Sequence, residues 1–395
     1  MKPGAENRTQ RSPRLEWLLI VIFAALLWLP TVDYFSGIDV TRPTSENRLL
    51  APKPRLMRLD FSGMHQYAVA AEIYFNDHFG FRKRLIRWFQ QWKTRLFHDQ
   101  GVSMNRVILG QHHWMFYAEF QMVEHYLGIA KFTPAQLEAW QKLLEKRRDW
   151  LAARGIKYLV VIPPDKHNIY PEELPAWLAN AAPANRVTKL DQLLEYMQKH
   201  STVEILDLRP PLLAAKNTAP TYLQNDAHWN LFGGFVACQE VVKKLSFWFP
   251  DLPPLRLEDF IWTNAPANGG DLALMLGSDA PEKNYFTFQP GPNLPALHTN
   301  DIPAYQSNWG LTPVFTRENP GPLRRKVVMF RDSFGKTWQP FLGQVFKLSV
   351  FEADDREFCP ALISANAPDV VVNEILERFV NTLDPEEMIA KDALP

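Results

Sequence analysis

Ser333 stands in Val327–Gly335, VVMFRDSFG, where an apolar run gives way to Arg331 and Asp332 and then to the helix-like FGKTWQPFLGQVF. Val327 to Phe330 has the length and character of a buried strand. A serine at a strand-to-helix turn presents its hydroxyl at the C-terminal edge of a sheet. The first helical N–H groups there face any oxyanion formed beside it. Upstream lies Asn225-Asp226-Ala227-His228-Trp229-Asn230. Asp226 and His228, two apart on an extended stretch, point to one side, which suits a direct hydrogen bond. Serine, histidine and aspartate are together the parts of a nucleophilic acyl-transfer site. Each half also has a plainer role. Asp332 or Ser333 can cap the helix that follows, and an Asp-x-His pair can be a metal pair or two satisfied loop residues. Their joint presence at expected loop edges favours the catalytic reading.

The elements that must position these residues follow an alternating pattern. A helix over Pro134–Arg154 precedes a strand at Lys157–Ile162, and a helix over Val187–His200 precedes a strand at Val203–Leu206. The helix Leu231–Phe247, with Asn230 as its cap, follows His228. Later come a strand at Val327–Phe330, a helix at Thr337–Val345, and strands at Lys347–Phe351 and Val370–Val372. Helices alternating with short β-branched runs predict an α/β fold with a parallel sheet covered on both faces. Residues 250–320, rich in Pro, Asn and Gly, read as a long insertion with short strands or as a mobile lid. Ligands bind outside the carboxyl ends of strands in such sheets. That edge collects Pro163–His167, Asp207, Arg209, Arg331–Ser333, Glu352, Asp354, Asp355, Asn373, Glu374, Glu377 and Arg378. Lys166, His167, Arg331, Glu374 and Arg378 are the candidates for substrate contact, set against the ordinary polarity of loops.

With 395 residues, 46% hydrophobic and 22% charged, the chain is long enough for one large domain with additions. Its 43 basic and 43 acidic residues balance, so no nucleic-acid footprint appears. Lys2, Arg8, Arg11 and Arg14 precede the apolar run Trp17–Pro30, and no A-x-A cleavage site follows. By the positive-inside rule this reads as an uncleaved signal anchor, with a cleaved signal peptide as the alternative. The run is shorter than the roughly 20 residues of a spanning helix. It reaches that length only by admitting Asp33. Residues 66–98 carry helical periodicity, broken at HFGF. Asn105–Tyr117 reads as strand, turn and strand, with His112 and His113 in the turn. Neither CxxC nor HExxH occurs, so neither metal nor cofactor is expected. Cys238 and Cys359 are read as buried free thiols, with a disulfide between them as the alternative that an oxidising compartment permits.

A wider set of segments carries a family resemblance: ENRLLAPKP at 46–54, YFNDHFGFR at 74–82, VILGQHHWMFY at 107–117, VIPPDKHNIYPEELP at 161–175, YLQNDAHWN at 222–230, FRDSFG at 330–335 and DVVVNEILERFV at 369–380. In their order and number they resemble the alginate O-acetyltransferase AlgX/AlgJ family of SGNH hydrolase-like proteins. The resemblance implies a three-layer sandwich around a central parallel sheet, with an N-terminal membrane anchor and the Pro/Asn/Gly-rich insertion. The expected organisation is a cytoplasmic basic tail 1–16, a signal anchor 17–35, a linker 36–65, the SGNH hydrolase-like domain 66–380 and a tail 381–395. It implies Ser333 as nucleophile, His228 as general base and Asp226 as its orienting group. The Asp-x-His pair precedes the serine, the reverse of ordinary SGNH hydrolases, and Arg331 replaces the glycine of their GDS motif. The implied acceptor is a sugar hydroxyl of an exopolysaccharide. The implied donor is a membrane-bound O-acyltransferase partner at the inner membrane, with the body in the periplasm. The same three residues would also serve a carbohydrate acetylesterase. The non-catalytic alternative is a polysaccharide-binding or assembly subunit.

Overall fold

The protein is described by a computed structural model. It covers residues 13–38, 51–55, 60–82, 84–85, 88–89, 92, 103–104, 106–264, 266–267, 269–276, 278, 281–307, 310–353, 358–392 and 394. Lys2, Arg8, Arg11, Asp354, Asp355 and most of the expected linker lie outside the described residues. The chain divides into two compact units, Met1–Leu96 with Met275–Ser278, and Phe97–Leu274 with Asp279–Pro395.

In the first unit, α1 (Pro13–Ser36) runs through Pro30 without ending there. Its Glu16–Ser36 stretch, 21 residues of mean hydropathy 2.1, is long and apolar enough to cross a membrane. Asp33, inside this stretch, accepts a hydrogen bond from Phe81 N at 2.9 Å. The expected linker ends early: α2 (Phe61–His78) begins inside it, with Asp60 accepting from Gly63 N as its cap.

In the second unit, a small antiparallel sheet joins β1 (Ser103–Met104), β2 (Val107–Leu109) and β3 (Met115–Tyr117). His112 and His113 lie in the turn between β2 and β3, both with left-handed backbone. The main elements follow: α3 (Pro134–Ala152), β4 (Lys157–Ile162), α4 (Lys189–His200), β5 (Glu204–Asp207), α5 (Leu231–Ser246), β6 (Phe260–Asn264), β7 (Phe286–Pro290), β8 (His298–Ser307), β9 (Gly310–Glu318), β10 (Lys326–Phe330), α6 (Gln339–Val345), β11 (Leu348–Glu352), β12 (Val370–Glu374) and α7 (Pro385–Asp392).

The large sheet has the order β5-β4-β12-β10-β11-β9-β8. From β5 to β11 every neighbouring pair is parallel, as expected. The expectation of a wholly parallel sheet is corrected at the far edge, where β9 pairs antiparallel with β11 and β8 with β9. The 250–320 insertion therefore extends the sheet instead of lying over it as a lid. A hairpin from one continuous segment can pair only antiparallel.

Side chains alternate across the parallel strands and split the core in two. Leu159, Val161, Val327, Met329, Val370 and Val372 pack with Phe235, Ala237 and Phe341 on one face. Tyr158, Val160, Val328, Phe330 and Val371 pack with Leu143, Leu144 and Leu193 on the other. Helix, sheet and helix thus form three layers. Cys238 and Cys359 are both buried. The expected C-terminal tail is partly core: α7 carries Asp392, which pairs with the buried Arg147 on α3 at 2.7 Å.

Candidate active site

Parallel pairing puts the ends of β4, β10 and β12 on one edge, with Phe330 opposite Asn373 and Glu374 opposite Val161. The chain leaves β10 through Arg331 and Asp332, whose side chains are buried, and then exposes Ser333. Asp332 shapes this turn. Its carboxylate accepts from Phe334 N at 2.6 Å and from Leu376 N at 3.2 Å, while its own N–H donates to Glu374 at 2.9 Å. Gly335 is required by close approach: a Cβ there would stand 2.7 Å from Glu374 Oε2 and 2.8 Å from Arg331 Cβ.

The second half of the site precedes α5. Leu223 N donates to His228 O at 3.2 Å, and Asn230 caps the helix by accepting from Gly233 N at 2.8 Å. Trp229 ties the loop to the serine turn by donating to Thr337 Oγ1 at 2.9 Å and to Phe334 O at 3.1 Å. The outcome is a continuous hydrogen-bonded chain. Ser333 Oγ lies 2.7 Å from His228 Nε2, and His228 Nδ1 lies 2.6 Å from Asp226 Oδ1. Asp226 also accepts from His228 N at 2.9 Å, and the His228 ring leans on Phe334 at 4.9 Å.

Burial pushes the His228 pKa down. The Asp226 hydrogen bond and the charges of Asp226 and Asp271 outweigh it, so the net shift is upward. Burial likewise opposes ionisation of Asp226, but the His228 hydrogen bond and charge hold that carboxyl well below its usual range. Nδ1–H therefore donates to Asp226, which leaves Nε2 to accept from Ser333.

The five candidates for substrate contact are all buried within the protein. Lys166, 2% exposed, donates to the carbonyls of Leu223, Gln224 and Asp226 at 3.0, 3.3 and 2.6 Å. Burial pushes its pKa down to about 8 against the pull of Asp226 and Asp271. His167, 1% exposed, packs on Phe116 and Tyr126. Burial, Arg378 and Lys166 push its pKa to about 3, so it is neutral. Arg331 donates to Asp332 O at 2.8 Å and stacks over Phe315. Glu374 receives Asp332 N, and Arg378 pairs with Asp165 at 2.9 Å over the Tyr117 ring. Sheet-edge position alone did not distinguish lining from support, because the small β-sheet and the loops close over these residues.

Two residues of the insertion reach the site without having been foreseen. Glu282 accepts from Gln224 N at 2.9 Å and from Asn225 N at 2.6 Å. Asp271 accepts from Ala227 N at 2.8 Å, donates its own N–H to Asp226 at 2.9 Å, and places Oδ2 3.7 Å from His228 Nδ1. The Gly269-Gly270-Asp271 step was the one local signal. Among the described residues, Asp226, His228 and Asp271 are the trio whose ligand-type atoms lie within 4.8 Å of one another. Two ligands of one zinc ion stand about 3.3 Å apart. The 2.6 Å between Nδ1 and Asp226 holds a proton instead.

Comparisons with known proteins agree with this architecture. Residues 107–292 match the family model described as ALGX, SGNH hydrolase-like domain, acetyltransferase AlgX. A curated relative from Pseudomonas syringae pv. tomato, named "Probable alginate O-acetylase AlgJ", is 27% identical over 176 residues, 45% of this chain and 42% of the relative. The chain spans about half the length of the curated relatives it matches. Among solved structures, Bacillus cereus PatB1 with a sulfonyl adduct superposes with a TM-score of 0.52 at 17% identity, covering 72% of this chain and 98% of PatB1. A DHHW family protein from Eubacterium siraeum gives 0.53 at 14%, covering 74% and 97%. Both show the fold. Residues 107–292 are thus similar to the SGNH hydrolase-like domain of AlgX, and the chain to relatives named as AlgJ.

Proposed function

We propose that this protein is a cell-envelope polysaccharide O-acetyltransferase that works through an acetyl-serine intermediate. The observation that carries the reading is the unbroken chain from exposed Ser333 through His228 to Asp226, at 2.7 and 2.6 Å. His228 Nε2 takes the Ser333 proton as Oγ attacks an acetyl carbonyl. Asp226 holds the imidazole in the required tautomer and faces the imidazolium that forms. The N–H of Phe334 is spent on Asp332, so the Ser333 N–H is the oxyanion donor in this reading. Such a donor is worth about 3–4 kcal/mol. His228 then returns its proton to the leaving group. Next it draws a proton from a sugar hydroxyl, which attacks the acetyl-serine carbonyl; the bond to Ser333 Oγ breaks, His228 returns the proton to Oγ, and the sugar leaves as its acetyl ester.

The acetylase names of the relatives support acetyl transfer to a polysaccharide. The apolar helix supports a body held outside the inner membrane by residues 17–35, where an activated acetyl group would arrive through a membrane-bound O-acyltransferase. Incubation with a chromogenic acetyl ester, with and without oligosaccharide acceptors, tests the reading. Acetylated sugar that depends on Ser333 is expected. Acetate release unchanged by any acceptor would make the protein an esterase, and no turnover with any acyl donor would leave a binding subunit.

A further inference from the structure

We propose that Asp271, carried by the 250–320 insertion, is a positioning residue for His228: it clamps the loop that presents the imidazole and sets a second carboxylate behind it. The proposal rests on the reading of Ser333 as nucleophile and His228 as base.

The clamp is built from backbone and side chain together. Asp271 Oδ1 accepts from Ala227 N, between Asp226 and His228, at 2.8 Å. Its own N–H donates to the Asp226 oxygen that His228 does not use. Two residues on, Ala273 N donates to Asn225 O at 3.0 Å. The approach is possible only because residue 270 is glycine. A Cβ there would collide with Asp226 Cβ and stand 2.8 Å from both Asn225 O and Asp226 Oδ2.

The free oxygen, Oδ2, lies 3.7 Å from His228 Nδ1, beyond a hydrogen bond but within ion-pair range. When Nε2 takes the Ser333 proton, the new charge is shared over the ring and faces Asp226 and Asp271 together. The other charged groups near the ring are Asp332 on the serine turn and Arg378 beyond β12. Lys166, past β4, faces the same two carboxylates. Of the acids, Asp332 is turned to backbone donors, and Arg378 is held by Asp165. Asp271 is thus the one acid besides Asp226 aimed at Nδ1 among the described residues.

The test compares full-length protein with the Asp271→Asn, Asp271→Ser, Asp271→Glu, Asp226→Asn and Ser333→Ala variants. Two rates are followed across the neutral pH range: hydrolysis of a chromogenic acetyl ester, and inactivation by a serine-directed sulfonyl fluoride. Asn and Ser both retain an acceptor for Ala227 N but remove the charge. The expected result is an acid limb moved to lower pH by about half to one unit in both variants. The plateau rate is expected to fall about 3- to 10-fold, and Asp271→Glu is expected to restore the wild-type limb. A limb that stays at the wild-type pH in whichever of the two variants folds, at any plateau rate, would reduce Asp271 to a structural residue and overturn the proposal. If that happens while Ser333→Ala is inactive and Asp226→Asn does shift the limb, the triad reading survives alone. A Ser333→Ala protein with wild-type turnover would remove both.

Discussion

Two pairings of a carboxylate with a basic side chain lie on opposite sides of β12 and show what separates a sealed bond from an open one. On one side Arg147 donates twice to Asp392, at 2.7 and 2.8 Å, and once to Asn373 at 2.7 Å, while its guanidinium rests on Phe358. Both partners are sealed, at 0% and 1% exposure. On the other side His228 gives Nδ1 to Asp226 and keeps Nε2 for exposed Ser333, with 31% of its side chain open. Neighbouring residues on one strand serve both: Asn373 braces Arg147, and Glu374 braces Asp332. Consecutive strand residues point to opposite faces, so one strand can anchor both a locked pair and an open one. A cation whose donors are all spent holds elements together. A neutral imidazole left one free nitrogen at a solvent edge can move a proton.

The sharpest way to break this comparison is at the open end. Ser333→Ala is expected to lower acetyl transfer by about 10³-fold or more with an unchanged melting temperature, since an exposed hydroxyl contributes little packing. His228→Ala should fall nearly as far, and the double variant little further, because nucleophile and base act as a unit. Additive losses in the acetyl-ester assay would contradict that unit.

At the locked end the loss moves from rate to stability. Arg147→Ala strands a buried Asp392 and is expected to cost about 3–5 kcal/mol, read by chemical denaturation. A variant of wild-type stability would show that α7 is not anchored through this pair.

Asp226→Asn tests the open pair by charge alone. The base must be neutral, so activity climbs as pH rises through a His228 pKa lying above its ordinary 6.5. Without the carboxylate that pKa falls, and the acid limb of the rate profile moves to lower pH. The plateau is expected to drop about 10²- to 10⁴-fold, since the amide no longer fixes the tautomer. An upward move would refute the assigned hydrogen bond.

The smallest effect is expected at Gly335. Its substitution by alanine forces a Cβ against Glu374, Arg331 and Met329. A cost of about 1–3 kcal/mol is expected, together with reduced activity, because the serine turn must shift. A crystal structure with Ser333 Oγ still within hydrogen-bond reach of Nε2 would show a stiffer turn than the packing implies.

Much of this was written in local pattern. The β-branched runs that became β4, β10 and β12 read as strands within a residue or two, because strands buried on both faces need continuous apolar sequence. The Asn230 cap and the strand-to-helix exposure of Ser333 are likewise local chemistry. The limits of reading were equally physical. The tail 381–395 carried no sign that Asp392 would meet Arg147 across a distance of 245 residues. The Pro-, Asn- and Gly-rich composition of 250–320 left short strands and a mobile lid both open, and it did not say that β8 and β9 would join the sheet edge through backbone pairing, which side-chain composition barely reports.

The sequence by itself determined which groups could react: a serine after a buried strand, and an Asp-x-His step before a capped helix. Spacing along a chain fixes such choices, because strand and helix periods are local properties. Only the tertiary structure decided which charges stand around them. Lys166, Glu374 and Arg378 became supports and Asp271 a neighbour of the imidazole, since burial and approach depend on segments far apart in sequence folding over one another.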